Sequence, residues 1–313
     1  MIKKLTLMAV GFLLVSGLLT ACKGPGTSDD HAEGHVGSDQ ENTAVISPTH
    51  DDEHEEGSAD HKSGSHGDNS HAGHDSHSDM HSAAGDNYTV DFSFNGPVRA
   101  AENAELTLEV TDSEGNPVQD FDISHEKLMH LIVVNEDLSF FEHIHPDYEE
   151  NGRFTVTTEF PYGGRYKLFA DFVPKGQGGM TVSDWMEADG EVAELQPLMA
   201  DESLIAEVDG KEVELTLSNT LSNEEVILTF DIRDAATKQG IQDLEPYLGA
   251  IGHVVILSED AEHYLHVHPL DGQDTGPKAE FVTSFPESGV YKIWGQFQHN
   301  GEVFTVSFAV EVQ

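Results

Sequence analysis

The residues best equipped for chemistry are histidines, and their spacing occurs twice. His130 is followed by His143 and His145, and His253 is followed by His266 and His268; a single offset of 123 residues relates the three pairs. Two histidines separated by one residue on an extended strand share a face. Neutral imidazole nitrogen suits zinc, copper or nickel, so three such rings on one sheet face form a plausible copper or zinc site. The fourth position then falls to a carboxylate, a thioether or water. The candidates are Asp171 in the first copy and Gln296 or His299 in the second. Met129 and Met180 could supply sulfur to Cu(I), although methionine more often fills a core. The competing reading is structural, with strand-end imidazoles hydrogen-bonded to backbone at a sheet edge.

A second histidine population has another character. His31, His35, His50, His54, His61, His66, His71, His74, His77 and His81 lie in a stretch of Gly, Ser, Asp and Glu with almost no branched or aromatic apolar residues. Such a segment buries too little surface to offset its chain entropy, so residues 22–86 read as a disordered tether. A chain of that length spans about 40–50 Å end to end. The densest run carries His71, His74, His77 and His81 among carboxylates, a composition that signals metal binding of modest affinity and high capacity. The plainer reading is a hydrophilic spacer that happens to be rich in histidine.

The elements that must hold the repeated histidines are strands. Tyr88–Phe94, Leu106–Val110 and Phe154–Thr158 alternate apolar with polar residues, bounded by Gly, Pro, Asn and Asp turn signals. Period-two alternation in runs of this length indicates half-buried antiparallel strands, and no long stretch has helical periodicity. The duplication extends beyond the histidines. Met129–Val134 matches Gly252–Leu257, Phe141–Pro146 matches Tyr264–Pro269, and Phe160–Phe169 matches Phe285–Trp294. A period of domain length implies two copies of one fold. Each copy has about seven strands, which suits an immunoglobulin-like or cupredoxin-like sandwich. The fold class is therefore all-β, two tandem antiparallel β-sandwiches over 87–200 and 201–313. Within each copy the glycine before Tyr166 or Tyr291 closes a turn, and the tyrosine plugs a sandwich corner. A tight turn around Glu136 and Asp137 would set His130 directly opposite His143, with His145 diagonal to it. A slip of one residue would turn His130 to the other face.

The N-terminus suggests where the sandwiches reside. Lys3 and Lys4 precede an apolar stretch from Leu5 to Leu19, shorter than the roughly 20 residues of a comfortable spanning helix. It has the proportions of a signal peptide over 1–21. Leu19-Thr20-Ala21-Cys22 resembles the bacterial lipobox, which implies lipidation of Cys22 and an extracytoplasmic, membrane-anchored protein. Cys22 is the single cysteine, so no internal disulfide is available. With 58 acidic against 15 basic residues the formal charge is −43, which disfavours nucleic acid and anionic lipid as partners of the soluble part and favours cations. For the charge alone, a solvated acidic surface is the better account.

Taken together, the lipobox, the His-rich segment and the His-x-His-Pro strands resemble secreted bacterial proteins of the YtkA/FixH-like kind and other small cupredoxin-like domains. That resemblance implies copper handling at the cell surface, with another envelope metalloprotein as partner. A blue-copper carrier is disfavoured, because its site needs a cysteine thiolate. No G-x-S-x-G, H-E-x-x-H or phosphate-cradling glycine loop is present, so the chain does not read as an enzyme. Two functions remain. One is a cell-surface lipoprotein that buffers or delivers a copper or zinc ion; the other is a metal-free envelope interaction module of paired immunoglobulin-like domains.

Overall fold

The computed structural model describes residues 87–265, 267–270, 272 and 275–313. The signal peptide, Cys22 and the His-rich tether, with His71, His74, His77 and His81, lie outside the described residues, as does His266. All regular structure among the described residues is β.

The first repeat comprises β1 (Tyr88–Phe94), β2 (Asn103–Asp112), β3 (Phe121–Asp122), β4 (Met129–Asn135), β5 (Phe141–Ile144), β6 (Asp147–Tyr148), β7 (Arg153–Glu159), β8 (Gly164–Pro174) and β9 (Met180–Ala188). The second comprises β10 (Ile205–Val208), β11 (Lys211–Leu217), β12 (Glu225–Asp234), β13 (His253–Ser258), β14 (Tyr264–Leu265), β15 (His268–Pro269), β16 (Lys278–Ser284), β17 (Gly289–His299) and β18 (Glu302–Val312). In each repeat two antiparallel sheets face one another. One has the order β1-β2-β7-β6 in the first repeat and β10-β11-β12-β16-β15 in the second. The other has β5-β4-β8 with β9 on the far edge of β8, and β14-β13-β17-β18 in the second. The all-β, two-copy expectation therefore holds.

The strands of the first sheet type alternate as their sequences do. β2 and β16, for example, bury every second side chain against their own core. Leu106, Leu108, Phe154, Leu131 and Val133 fill the first core, and Leu228, Phe230, Phe281, Val254 and Ile256 the second. The corner tyrosines behave as expected. Tyr166 donates from its hydroxyl to the Tyr162 carbonyl at 2.8 Å, and Tyr291 to the Glu287 carbonyl at 2.9 Å. Gly164 and Gly289, at φ of 122° and 153°, open the strands that carry them, a conformation that disfavours side chains.

β4 and β13 depart from the half-buried expectation, because every residue in them is buried. Their odd and even faces do different things. In β4, Leu131 and Val133 point into their own sandwich, while Ile132 and Val134 join a third cluster with Phe169. In β13, Val255 and Leu257 join that same cluster with Tyr264 and Trp294. The outer faces of the two β4- and β13-type sheets are thus pressed together. Contacts across this seam come in reciprocal pairs, the signature of an approximate two-fold relation between the copies. Phe141 stacks on Trp294 with ring centres 4.7 Å apart, and its counterpart Tyr264 meets Phe169 at 5.5 Å. Lys167, 4% exposed, crosses the seam to donate to the Ala261 carbonyl at 2.8 Å and to Glu262 Oε1 at 2.9 Å.

Both tryptophans of the chain touch this third cluster, Trp294 within it and Trp185 at its margin. Truncating a large buried aromatic costs about 3–5 kcal/mol. Trp294→Ala should therefore lower the thermal midpoint. It should also red-shift Trp185 emission below the global transition, as the repeats separate before each unfolds. An unshifted Trp185 spectrum throughout would contradict docking through this face.

Candidate metal centre

The three histidines of the first repeat converge. The β4–β5 pairing places Ile132, and not His130, opposite His143. The register differs by two residues from the expected one because the turn is centred one residue later. Leu138 takes the left-handed conformation at φ 57°, and the Asn135 side chain bridges the loop. Its amide donates to Asp137 Oδ1 at 2.7 Å and to Ser139 Oγ at 2.8 Å, while its oxygen accepts from the Phe140 N–H at 2.8 Å. A shift of two preserves side-chain parity, so His130, His143 and His145 stay on one face. One nitrogen from each lies within 4.8 Å of the others.

The hydrogen bonds around this group restrict its protons. His130 Nε2 lies 3.0 Å from the Ser124 carbonyl oxygen, an obligate acceptor, so Nε2 carries the hydrogen and Nδ1 is a bare lone pair. His143 Nδ1 lies 2.7 Å from Gln296 Oε1, an amide oxygen whose NH2 group donates to Thr305 Oγ1 at 3.2 Å. By the same reasoning His143 Nδ1 carries hydrogen and its Nε2 is bare. The two bare nitrogens face each other at 2.9 Å. Two neutral imidazoles in these tautomers repel at that distance; a cation between them removes the repulsion. The third ring contributes His145 Nε2, buried with no hydrogen-bond partner.

A proton is a poor choice for that cation. Burial is the largest cause holding all three histidines down at about 4 from the usual 6.5, and their mutual repulsion acts in the same direction. The Ser124 carbonyl, Gln296 and the charge of Asp171 pull His130 or His143 partly back. The rings are therefore neutral at physiological pH, the form that ligates metal. Turning the Gln296 amide would also resolve the clash, by giving His143 Nδ1 a donor and letting His143 Nε2 donate to His130.

Among the described residues, which leave out His266, the second repeat shows no counterpart of this group. His253 is buried, 7% exposed, and faces the seam. His268 is exposed and pairs with Val282 of the opposite sheet, because the second repeat changes sheets at His268–Pro269. The first repeat makes that change only at Asp147–Tyr148, two positions further along the shared motif. One such group, that of the first repeat, is found among the described residues. His253 joins it from across the seam, its ring centre 4.7 Å from that of His143 and 5.5 Å from that of His130.

The proposed fourth ligands also need correction. Met129 and Met180 pack in the first core, since β4 alternates and Met129 falls on its inner face. His299 pairs with Asp243 at 3.3 Å. Asp171 lies opposite His130 in the β4–β8 pairing, outside the 4.8 Å group, and accepts from Thr181 Oγ1 at 3.4 Å. It also bonds the fully buried Tyr264 hydroxyl, whose pKa rises well above 10, chiefly through burial. Gln296 does reach the site, but it serves the first repeat's His143 rather than its own His253. His125 was missed altogether. It sits on a turn beside the cluster, 5.3 Å from His253 and 6.1 Å from His130 between ring centres. The unbroken apolar runs after His130 and His253 were the available clue, since a strand apolar on both faces needs a second partner.

In metal-free protein at neutral pH, long-range 1H–15N correlation should find His130 protonated at Nε2 and His143 at Nδ1. A His143 ring protonated at Nε2 would mean that the Gln296 amide is turned and the network closes without an ion.

Comparison with known proteins adds the family. The model described as "Domain of unknown function (DUF8832)" matches residues 82–190 and again 206–313. No curated protein matches the chain. Solved structures of similar fold include the Escherichia coli adhesin FdeC, 13% identical over 72% of this chain and 64% of that one, with a TM-score of 0.25. The bacterial integrin-binding protein invasin is 14% identical over 71% and 39%, at 0.20. A two-domain fibronectin type III segment of chicken tenascin is 13% identical over 72% and 100%, at 0.21. The chain thus spans less than two thirds of the adhesin and of invasin. The YtkA/FixH-like and cupredoxin-like resemblance gains no support from these matches.

Proposed function

Because the chain belongs to this family and carries its domain twice, with one imidazole cluster at the seam, we propose that it is a metal-binding envelope protein. It holds one copper or zinc ion on His130, His143 and His145 and serves to buffer or deliver it. The observation that carries this reading is the 2.9 Å approach of His130 Nδ1 to His143 Nε2, both left without hydrogen when the opposite ring nitrogens donate to Ser124 and Gln296, in a site where burial disfavours a proton. Around a tetrahedral ion with bonds of about 2.0–2.1 Å, neighbouring ligand nitrogens stand roughly 3.3 Å apart, a small relaxation from the observed distance. His145 Nε2 supplies the third nitrogen.

Equilibrium dialysis of the full chain and of residues 87–313 with Cu(II), Cu(I) and Zn(II) tests the reading. The shorter chain should bind one ion, and H130A/H143A/H145A together should weaken binding at least 100-fold. His268→Ala should have no effect. The pH dependence follows from the sign of the shifts. Protons compete with metal only below a ligand's own pKa, and a free imidazole of pKa about 6.5 releases metal between about pH 7 and 5. The centre should stay loaded until pH nears 4. The metal-free fold should lose stability over that same interval as pH falls from 6.5 toward 4, because the unfolded chain takes up protons there and the folded chain does not. Binding left unchanged by the triple substitution would refute the site.

Placement at the cell surface is part of the same proposal, and rests on the lipobox-like Leu19–Cys22. Cys22→Ala should move the protein from the membrane fraction to the soluble one.

A second reading, an envelope interaction module that needs no metal, draws on the exposed apolar residues Tyr162, Val192 and Leu195. Exposed apolar side chains grouped in this way mark contact surfaces. The solved neighbours include proteins of this class, but TM-scores near 0.2 give that likeness no weight. Wild-type protein that binds no metal would leave this reading standing.

A further inference from the structure

The four rings at the seam have a geometry of their own. Around a tetrahedral ion with metal–nitrogen bonds of about 2.0–2.1 Å, each imidazole centre stands a little over 3 Å from the ion, so ring centres stand roughly 5 Å from one another. The first-repeat triad has centre separations of 5.1, 5.0 and 4.7 Å. His253 lies 4.7 Å from His143 and 5.5 Å from His130 on the same measure. Five of the six separations among these four rings thus lie near the value that a four-imidazole shell requires.

The second repeat also aims two groups at the triad from a single rung of its sheet. His253 of β13 lies directly opposite Gln296 of β17, and Gln296 Oε1 holds His143 Nδ1 at 2.7 Å. One registered pair therefore fixes a first-repeat ligand and presents a fourth ring beside it. Aliphatic side chains on the same faces, Ile132 and Val134 against Val255 and Leu257, hold this rung in place.

Building on the metal reading above, we infer that His253 is the fourth ligand, so that one ion is held jointly by both repeats. The nitrogens of His253 are not among those lying within 4.8 Å of one another, so its ring turns toward the ion on loading. Gln296 is a positioning residue that keeps His143 Nε2 free for the ion. Because ligands come from both repeats, binding and docking are linked: the ion binds the docked form more tightly and stabilises it. A carboxylate in place of His253 would favour harder ions, whereas four neutral imidazoles select copper or zinc.

The test is Cu(II) binding to the full chain at pH 5, an acidity at which a free imidazole of pKa about 6.5 is mostly protonated. Electron spin-echo spectroscopy counts the bound imidazoles, and hydrogen exchange reports on β4 and β13. Wild type should show four imidazoles and slower exchange in both strands on loading. His253→Ala should show three, bind at least tenfold more weakly, and lose the added protection in β13. His253→Gln, which keeps a polar side chain of similar size, should give the same imidazole count and decides the matter if the alanine variant does not fold. If the variants at His253 match wild type while H130A/H143A/H145A abolishes binding, the fourth-ligand inference is overturned and the triad site stands. If wild type binds no more than the triple variant, both fall.

Discussion

The structure depends on one constraint: two strands, β4 and β13, are apolar on both faces and must be covered twice. Their inner faces are satisfied within each sandwich, but Ile132, Val134, Val255 and Leu257 on the outer faces would otherwise meet water. Each such side chain is worth about 1.5–3 kcal/mol when fully buried, so a seam built from both strands and four aromatic rings favours docking decisively. The repeats are accordingly parts of one body rather than beads on a flexible string. The imidazoles stand at the end of this apolar strip, and their environment follows from it. The packing that excludes water from Ile132 and Val255 also desolvates His130 and His253, two positions away on the same faces.

An approximate two-fold axis explains why ligands from both copies meet. In an isologous contact, whatever one copy places near the axis the other places beside it. The turns Ser124–Lys127 and Tyr247–Ala250 show this well. Each is closed by the same backbone pairing and has two left-handed residues, His125 and Glu126 in one, Leu248 and Gly249 in the other. They also meet, since a side-chain carbon at Gly249 would sit 3.4 Å from Glu126 Cγ. The copies have diverged where chemistry is concerned. Asp171 of the first repeat corresponds to Gln296 of the second, and each lies opposite its own strand's histidine. The neutral amide holds a ring of the first repeat, whereas the carboxylate sits beside Tyr264. Duplication produced two sets of histidines, and among the described residues docking brings His253 of the second beside the three of the first.

Much of this was legible in the sequence, for identifiable reasons. Alternation in Tyr88–Phe94 and the repeated Gly-x-Tyr-Lys segment revealed strands and corner tyrosines, because both are local signals. The grouping of His130, His143 and His145 survived an error of two in the hairpin register, because parity, not register, decides which face a side chain takes. What could not be read was everything that depends on the seam. The approach of His253 to the first repeat's cluster, the reach of Gln296 to His143 and the exclusion of Met129 to the core are matters of which faces meet. The change of sheet that exposes His268 was hidden for another reason. The motif Tyr264–Pro269 matches Phe141–Pro146 almost residue for residue, yet a difference of two positions in where the chain leaves its strand separates a seam residue from a surface one.

The charge distribution bears on which cations such a centre admits. A formal charge of −43 draws cations of every kind toward the surface, and carboxylates there suit calcium and magnesium, which take oxygen ligands. The seam offers neutral nitrogen in a desolvated setting, with Asp171 engaged by Tyr264 and Thr181. Hard cations gain little there, because they exchange water oxygen for weaker nitrogen donors and leave a favourable solvent. Borderline ions such as zinc and copper bind imidazole strongly enough to offset that loss. Under the proposed metal reading, the acidic surface and the histidine seam would act at different stages. The surface would raise the local concentration of all cations without discrimination, and the seam would select among them by ligand chemistry.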